Sequence, residues 1–246
     1  NHSIPTSKPV ILPEVDLPLD PYFLGLWLGD GASRCPSITT MDHEVVDFLE
    51  EFAKRNGLML RKGPESGNGL ASTYHLTSGV MGAKKGSWGN GKGDKNPIKA
   101  ILQSLDLIQN KHIPEAYLWA SQEQRLALLQ GLMDTDGGCH RSRCEFSSKS
   151  PLLAQGVYHL ASSLGLKPNT TTGKTSLAGK RCSDRTRVTW TDPLPVFRIR
   201  RKLDALPKAV RTCQHRRFIT AVDPVGLQEV RCITVEHPTG LFLFGK

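Results

Sequence analysis

Two apolar strings stand out along this chain, and both end the same way. FLGLWLGDGA runs from Phe23 to Ala32, and LLQGLMDTDGG runs from Leu128 to Gly138. Each is hydrophobic nearly all round and stops at an acid followed by glycine, the pattern of a buried helix with an abrupt end. Asp20-Pro21 offers the first an N-cap and a proline at N1. Ser121, with Gln124 three residues on, offers the second a capping box. An amphipathic helix is predicted after each. Asp42 caps one with Val45, Val46, Leu49, Phe52 and Ala53 on its apolar side, ending at Asn56-Gly57. Ser150-Pro151 starts the other, with Leu152, Leu153, Val157, Leu160, Ala161 and Leu164, ending at Gly165.

These landmarks recur at nearly one spacing. The string-ending acids Asp30 and Asp136 are offset by 136 − 30 = 106 positions, the caps by 150 − 42 = 108 and the glycine stops by 165 − 57 = 108. The chain therefore reads as two tandem repeats within one fold. Between the landmarks, RCPSITTM, GCHRSRCEFSS, LMLRKG, STYHLTS, LKPNTTTG and RTRVTWT alternate β-branched or aromatic residues with polar ones. Such segments are strands with one wet face. The fold class is α+β: two pseudo-symmetric αββαββα repeats, with helices on one side of antiparallel sheets.

Gly25 and Gly29 share a face of the first string, and Gly131 and Thr135 share the matching face of the second. Small residues on one face let two backbones approach. If those faces meet, both helix C-termini, with Asp30 and Asp136, lie together. Their partial negative charge, unpartnered carbonyls and two carboxylates make an oxygen-rich cup that a hard divalent cation such as Mg²⁺ suits. For one string alone, an acid that merely ends a helix is the simpler account; the matched pair favours the cup.

Charge sharpens the picture. Lys and Arg number 32 against 23 Asp and Glu, a net charge of +9. That favours an acidic partner, nucleic acid first. Six cysteines include no C-x-x-C pair, so reduced structural thiols are expected rather than a zinc site. No apolar run reaches membrane-spanning length, and the first residues carry no charged-then-apolar leader pattern.

LQGLMDTDG (Leu129 to Gly137) closely resembles the LAGLIDADG homing endonuclease motif, and FLGLWLGDG (Phe23 to Gly31) is similar to a looser copy. Leu28 replaces the first acid of that copy and Gly29 its alanine, while Asp30 keeps the penultimate acid. The resemblance covers roughly Leu19 to Thr212. It implies a monomeric enzyme with a saddle of two four-stranded sheets over double-stranded DNA, without an obligate protein partner. The run NKHIPEAYLWASQEQRLALLQGLMDTDG resembles intein-encoded members, in which the lysine of the K-x-I-P phrase is a basic active-site residue, here Lys111. The tail RRFITAVDPVGLQEVRCITVEHPTGLFLFGK is similar to the C-terminal strands of an intein splicing domain, although the final His-Asn of a working intein is missing.

The expected domains are therefore a lead-in at 1–18 of splicing-domain-remnant type, repeats at 19–120 and 121–212, and a splicing-domain-like β tail at 213–246. The expected function is site-specific, metal-dependent cleavage of both DNA strands. Alternatives of other classes are a cleavage-inactive nucleic-acid-binding or RNA-splicing cofactor of the same fold, and a fragment of a protein-splicing element. Asp30, Asp136, Lys111 and Lys202 are the expected catalytic residues. Lys202 comes from the basic stretch PVFRIRRKLD, in which Arg200 is a close rival and solvated surface charge an equal account. Asp30 and Asp136, with the backbone of Gly29 and Thr135, are the expected metal ligands. Mg²⁺ is the expected cofactor, with Mn²⁺ or Ca²⁺ able to substitute for binding.

Backbone contacts would supply affinity, and side chains on the strands would read base edges. The expected DNA-binding residues are Arg61, Lys62, Arg141, Arg143 and Arg187 on strands. Lys84, Lys85 and Lys92 lie in a Gly-rich loop, and Lys174 and Lys180 in its counterpart loop in the second repeat. The expected location is intracellular, in the nucleus or wherever the target DNA resides.

Overall fold

A computed structural model describes residues 2–65, 71–78, 96–174, 176–177, 180–181, 183–209, 216–236, 238, 240 and 242. Strand β1 (Ser3–Pro5) and an extended lead-in precede the first repeat. That repeat comprises α1 (Pro21–Asp30), β2 (Ser37–Thr40), α2 (His43–Arg55), β3 (Met59–Glu65), β4 (Ser72–Thr77), α3 (Pro97–Ser104) and α4 (Glu115–Leu118). The second comprises α5 (Gln122–Asp136), β5 (Gly137–His140), β6 (Arg143–Ser148), α6 (Pro151–Ser163), β7 (Asn169–Gly173), β8 (Ser176–Leu177), β9 (Lys180–Arg181), β10 (Arg185–Trp190) and α7 (Arg200–Leu203). Strand β11 (Arg216–Phe218) follows and pairs antiparallel with β1.

The start signals act as their chemistry predicts. Asp20 accepts a hydrogen bond from Phe23 N at 3.0 Å, and Ser121 and Gln124 form the reciprocal capping box. Ser150 accepts from Leu153 N, whereas the Asp42 side chain makes no cap bond within its own helix. Helices α2 and α6 give way to Gly57 and Gly165, whose φ values of 63° and 82° end the helical path.

The second sheet has the order β5-β6-β10-β7, all antiparallel. The first has β2-β4-β3, so its expected fourth strand is reduced to one bridge between Gly31 and Ile38. A tight turn accounts for the difference: Ala32 N still donates to the Ser37 carbonyl, but Ser37 N donates to the Cys35 carbonyl and Cys35 N to the Ala32 carbonyl, so the ladder closes there. In the second repeat a two-residue turn at Arg141-Ser142, both with positive φ, lets β5 and β6 pair over four residues. The second-repeat segment expected as a loop contains a short ribbon, with Leu177 opposite Lys180.

Each sheet packs one face on the helices. Ile38, Leu60 and Leu76 line that face in the first sheet, and Cys144, Phe146 and Val188 in the second. They join Leu26, Leu28, Leu129 and Leu132 of α1 and α5 in one continuous core. The hydrogen bonds of the lead-in go mainly to the second repeat, while Leu17 and Pro18 line a cavity with Phe52 and Arg55 of α2. Gln124 exchanges two hydrogen bonds with the Val15 backbone, at 2.6 and 3.1 Å. The fully buried Arg125 guanidinium donates to the carbonyls of Val10, Ala120 and Ser163. Of the β tail, Arg216–Phe218 forms a strand, and residues 219–236 run exposed without regular pairing. Among the described residues, no helix is long and apolar enough to cross a membrane.

Candidate active site

The two acid-tipped helices lie against each other at the distance of touching backbones. Gly25 and Gly131 face each other across this contact. A Cβ on Gly131 would stand 2.3 Å from the Tyr22 carbonyl oxygen and 2.9 Å from Gly25 Cα. One on Gly25 would stand 2.4 Å from the Leu128 carbonyl oxygen, and one on Gly29 would collide with the Thr135 side chain. Both pairs of small residues thus meet across one interface, and the two C-termini emerge side by side.

Asp30 ends α1 and Asp136 ends α5. Both carboxylates reach solvent, yet the protein around them withholds enough water to raise both pKa values; the charge of Asp136 raises that of Asp30 further. Two lysines offset this charge. Lys111 Nζ donates to the carbonyls of Gly29 at 3.1 Å and Gly31 at 2.7 Å, beneath the end of α1. Lys202 Nζ donates to those of Asp134 at 2.7 Å and Gly137 at 2.8 Å, with longer bonds to Met133 and Thr135, beneath the end of α5. Each ammonium satisfies carbonyls that have no helical partner. Partial burial pulls the Lys111 ammonium down to about 8 and lowers Lys202 as well. The rival Arg200 lies on the surface in an ion pair with Asp204 at 3.3 Å.

Asp134 is a residue that sequence reasoning passed over. Its carboxylate is 3% exposed and accepts from Tyr22 Oη at 2.7 Å and from the backbone N–H groups of Arg198 and Ile199. Burial is the main cause of its raised pKa. The signal was its place two residues before Asp136, inside the apolar part of the string. The α7 segment is also tied across to the first repeat: Arg201 makes a two-pronged contact with Asp42 at 2.7 and 2.8 Å, and Arg200 N donates to Glu44.

The sheet faces turned away from the helices carry several of the expected DNA contacts. Arg143, Glu145 and Ser147 alternate with core residues on β6; Arg185 and Arg187 do so on β10. Arg187 pairs with Glu145 at 3.4 Å. A shallow cavity of about 490 Å³ starts at Asp136 and runs past Gly138 along His140, Arg143, Glu145 and Ser147. Arg185 adds positive charge close enough to stabilise ionised Asp136, a role sequence reading did not assign it. Arg141 sits at the exposed tip of the β5–β6 turn, and Lys174 is exposed just after β7. In the first sheet, Arg61 shares the away-facing side with His75. Lys62 does not: it lies opposite Tyr74, on the face of Leu60 and Leu76. Strand alternation sends neighbouring residues to opposite faces, so Arg61 and Lys62 could not both face one groove. Lys180 falls on strand β9; Lys84, Lys85 and Lys92 lie outside the described residues.

Among the described residues no cluster of three His, Cys, Asp or Glu side chains is present. The donor set is two carboxylates and helix-end carbonyls, all hard oxygen ligands. That chemistry fits Mg²⁺ and its congeners, not a soft metal. The Gly29 and Thr135 carbonyls each already accept from a lysine, and each keeps a second lone pair. Cys139 and Cys144, facing each other across β5 and β6 with sulfurs 3.2 Å apart, are free thiols on the core side.

Residues 123–192 match the LAGLIDADG-like domain family. The whole chain is 29% identical to a stretch covering 37% of the replicative DNA helicase DnaB of Mycobacterium intracellulare. Over 164 residues, 61% of this chain and 28% of the relative, it is 29% identical to the homothallic switching endonuclease of Saccharomyces cerevisiae. The chain thus spans well under half the length of either relative. Among solved structures, mesophilic variants of the homing endonuclease I-DmoI align with a TM-score of 0.46 at 12% identity, covering 71% of this chain and 88% of theirs. The N-terminal LAGLIDADG domain of DUF199/WhiA aligns with a TM-score of 0.43 at 9% identity, covering 77% and 89%.

Proposed function

We propose that this chain, which contains a LAGLIDADG-like domain, is a homing endonuclease that hydrolyses one phosphodiester bond in each strand of a long DNA site. The observation that carries this reading is the doubled helix end: Lys111 sits beneath the end of α1 and Lys202 beneath the end of α5, each ammonium also acts on the carboxylate of the other helix, and the Gly25–Gly131 contact brings the two ends together. Two acid-ended helix termini, each with a lysine beneath it, suit two strands of a duplex. The likeness to the homothallic switching endonuclease supports the same class of activity.

Asp30 and Asp136, with the carbonyls of Gly29 and Thr135, would hold Mg²⁺. Bound there, the cation would activate water and neutralise charge on the leaving oxygen. The chain's own groups do the rest. Lys111 and Lys202 present ammonium charge where the pentavalent phosphate gathers negative charge, and their helix-end carbonyls fix their heads. Arg61, Arg143, Arg185 and Arg187 face the duplex and neutralise phosphates or meet base edges, joined by Lys84, Lys85 and Lys92. The full-length match to part of a replicative helicase supports the intein-encoded form of this reading, an endonuclease segment carried within a host protein. We read the protein as a monomer, because both acid-ended helix termini and both lysines come from one chain.

The test uses plasmid carrying the host-gene sequence without the insertion. Wild-type protein should linearise it in Mg²⁺ and leave it intact in EDTA. Asp136→Asn should bind the site while losing cleavage; cutting by that variant at a comparable rate would remove the carboxylate from the chemistry.

A further inference from the structure

We infer that Asp134 is the positioning residue for Lys202 and that the Lys111 half of the site has no counterpart, so the two strand cuts depend on Asp134 unequally. The inference rests on the endonuclease reading and adds an asymmetry to it.

Helix α7 is a single turn of four residues, too short to hold itself by hydrogen bonding alone. Its third residue is Lys202. Asp134 grips this segment at both ends. Its carboxylate accepts from Arg198 N at 3.0 and 3.1 Å and from Ile199 N at 3.2 Å, where the chain enters the turn. Its backbone carbonyl accepts from Lys202 Nζ at 2.7 Å, where the side chain ends. Tyr22 Oη holds the same carboxylate from α1 at 2.7 Å, so the grip also spans the helix interface. A carboxylate this buried survives only because every partner is present.

The matching position in the first string is Leu28, which is 1% exposed and offers no acceptor. The loop before Lys111 is held instead by a backbone bond from Gln109 N to the Ser33 carbonyl at 2.8 Å. The Lys111 ammonium lies over the Trp27 ring at 5.1 Å. One half of the site is thus braced by a buried acid, the other by backbone and an indole.

Strand-resolved single-turnover cleavage, with each strand end-labelled, tests this. Lys202→Met and Lys111→Met first establish which cut each lysine governs. Asp134→Asn keeps the side-chain shape but cannot accept from every donor. It should slow the Lys202-dependent cut by about 10- to 100-fold, as expected for a group displaced by about an ångström. The other cut should stay within about 3-fold and DNA affinity within about 2-fold, leaving a nicked intermediate. Tyr22→Phe, which spares the backbone grip, should show the same strand bias more weakly, and it carries the test should Asp134→Asn fail to fold. Equal loss on both strands, loss on the Lys111-dependent strand, or no loss overturns the inference. Amine labelling read by mass spectrometry serves independently of cleavage: Asp134→Asn should expose Lys202 to acylation and leave Lys111 unchanged. If wild-type protein cuts no DNA, the endonuclease reading falls, and unchanged Lys202 labelling would then sink the positioning role too.

Discussion

Gly131→Ala isolates the contact on which the site depends. Alanine is the better helix former by about 1 kcal/mol, so in an open helix this change would stabilise the protein. Here the new methyl would stand 2.3 Å from the Tyr22 carbonyl oxygen, 2.7 Å from Leu26 N and 2.9 Å from Gly25 Cα. All three are backbone atoms of α1, which no side-chain rotation can clear. Ordinary contact begins near 3.4 Å, so α1 and α5 must part locally by about 1 Å, opening a gap that forfeits dispersion contacts along both helices. Overpacking of this kind costs about 1–3 kcal/mol, and at this chain length each kcal/mol lowers Tm by roughly 2–4 °C. The same displacement separates Asp30 from Asp136, and a misplacement of about 1 Å costs about 100-fold in rate. Thermal melting and single-turnover cleavage should therefore both fall. Gly138→Ala, whose Cβ meets nothing within 4 Å, serves as the control for melting. A Gly131→Ala protein with unchanged or raised Tm would refute the close-packing argument, and one with lowered Tm but full cleavage would refute its link to the site.

Lys111 predicts an alkaline limit. Its ammonium, lowered to about 8, loses its proton as pH rises through that value, so cleavage should decline above it. Lys111→Arg should move that limb upward, and an unmoved limb would mean that another group titrates. Between about 8 and the ordinary 10.5, the unfolded chain binds this proton more tightly than the folded one. Stability from Lys111 therefore rises with pH in that window. On the acid side, the raised carboxylates of Asp30 and Asp136 should lose Mg²⁺ at higher pH than ordinary aspartates would; metal titration at stepped pH reads this directly. Arg125→Met leaves the carbonyls of Val10, Ala120 and Ser163 without their donor. It should cost about 3 kcal/mol or more and expose the lead-in to limited proteolysis, and unchanged protection would contradict the anchoring role. Arg143→Ala should weaken DNA binding and reduce the salt slope by about one; an unchanged slope would mean that Arg143 meets no phosphate.

Much of the fold was legible because its signals are local. Asp20, Ser121 and Ser150 announce helix starts whose geometry depends on a few adjacent residues, and six alternating segments marked the seven strands of the two main sheets. The fourth strand of the first sheet was not legible in the same way, because a local turn between Ala32 and Cys35 takes the backbone groups that would extend the ladder. Lys62 shows a finer limit. Alternation says that Arg61 and Lys62 face opposite ways, but which of them faces the core depends on the register of β3 against β4.

The site divides along the same line. Sequence alone determined that two acid-ended strings recur at a fixed offset, each with small residues on one face, and that the chain is basic. Periodicity and charge are properties of the chain, so these needed no coordinates. Tertiary structure decided which basic residue reaches the end of the second string. Lys202 and Arg200 are equivalent in the run RIRRK, and only the one-turn helix α7 aims Lys202 at the end of α5 while leaving Arg200 in solvent. It also decided that Asp134 is buried beneath that turn. Such partners come together from positions 64 and 112 residues away, and no local pattern encodes a hydrogen bond across that distance.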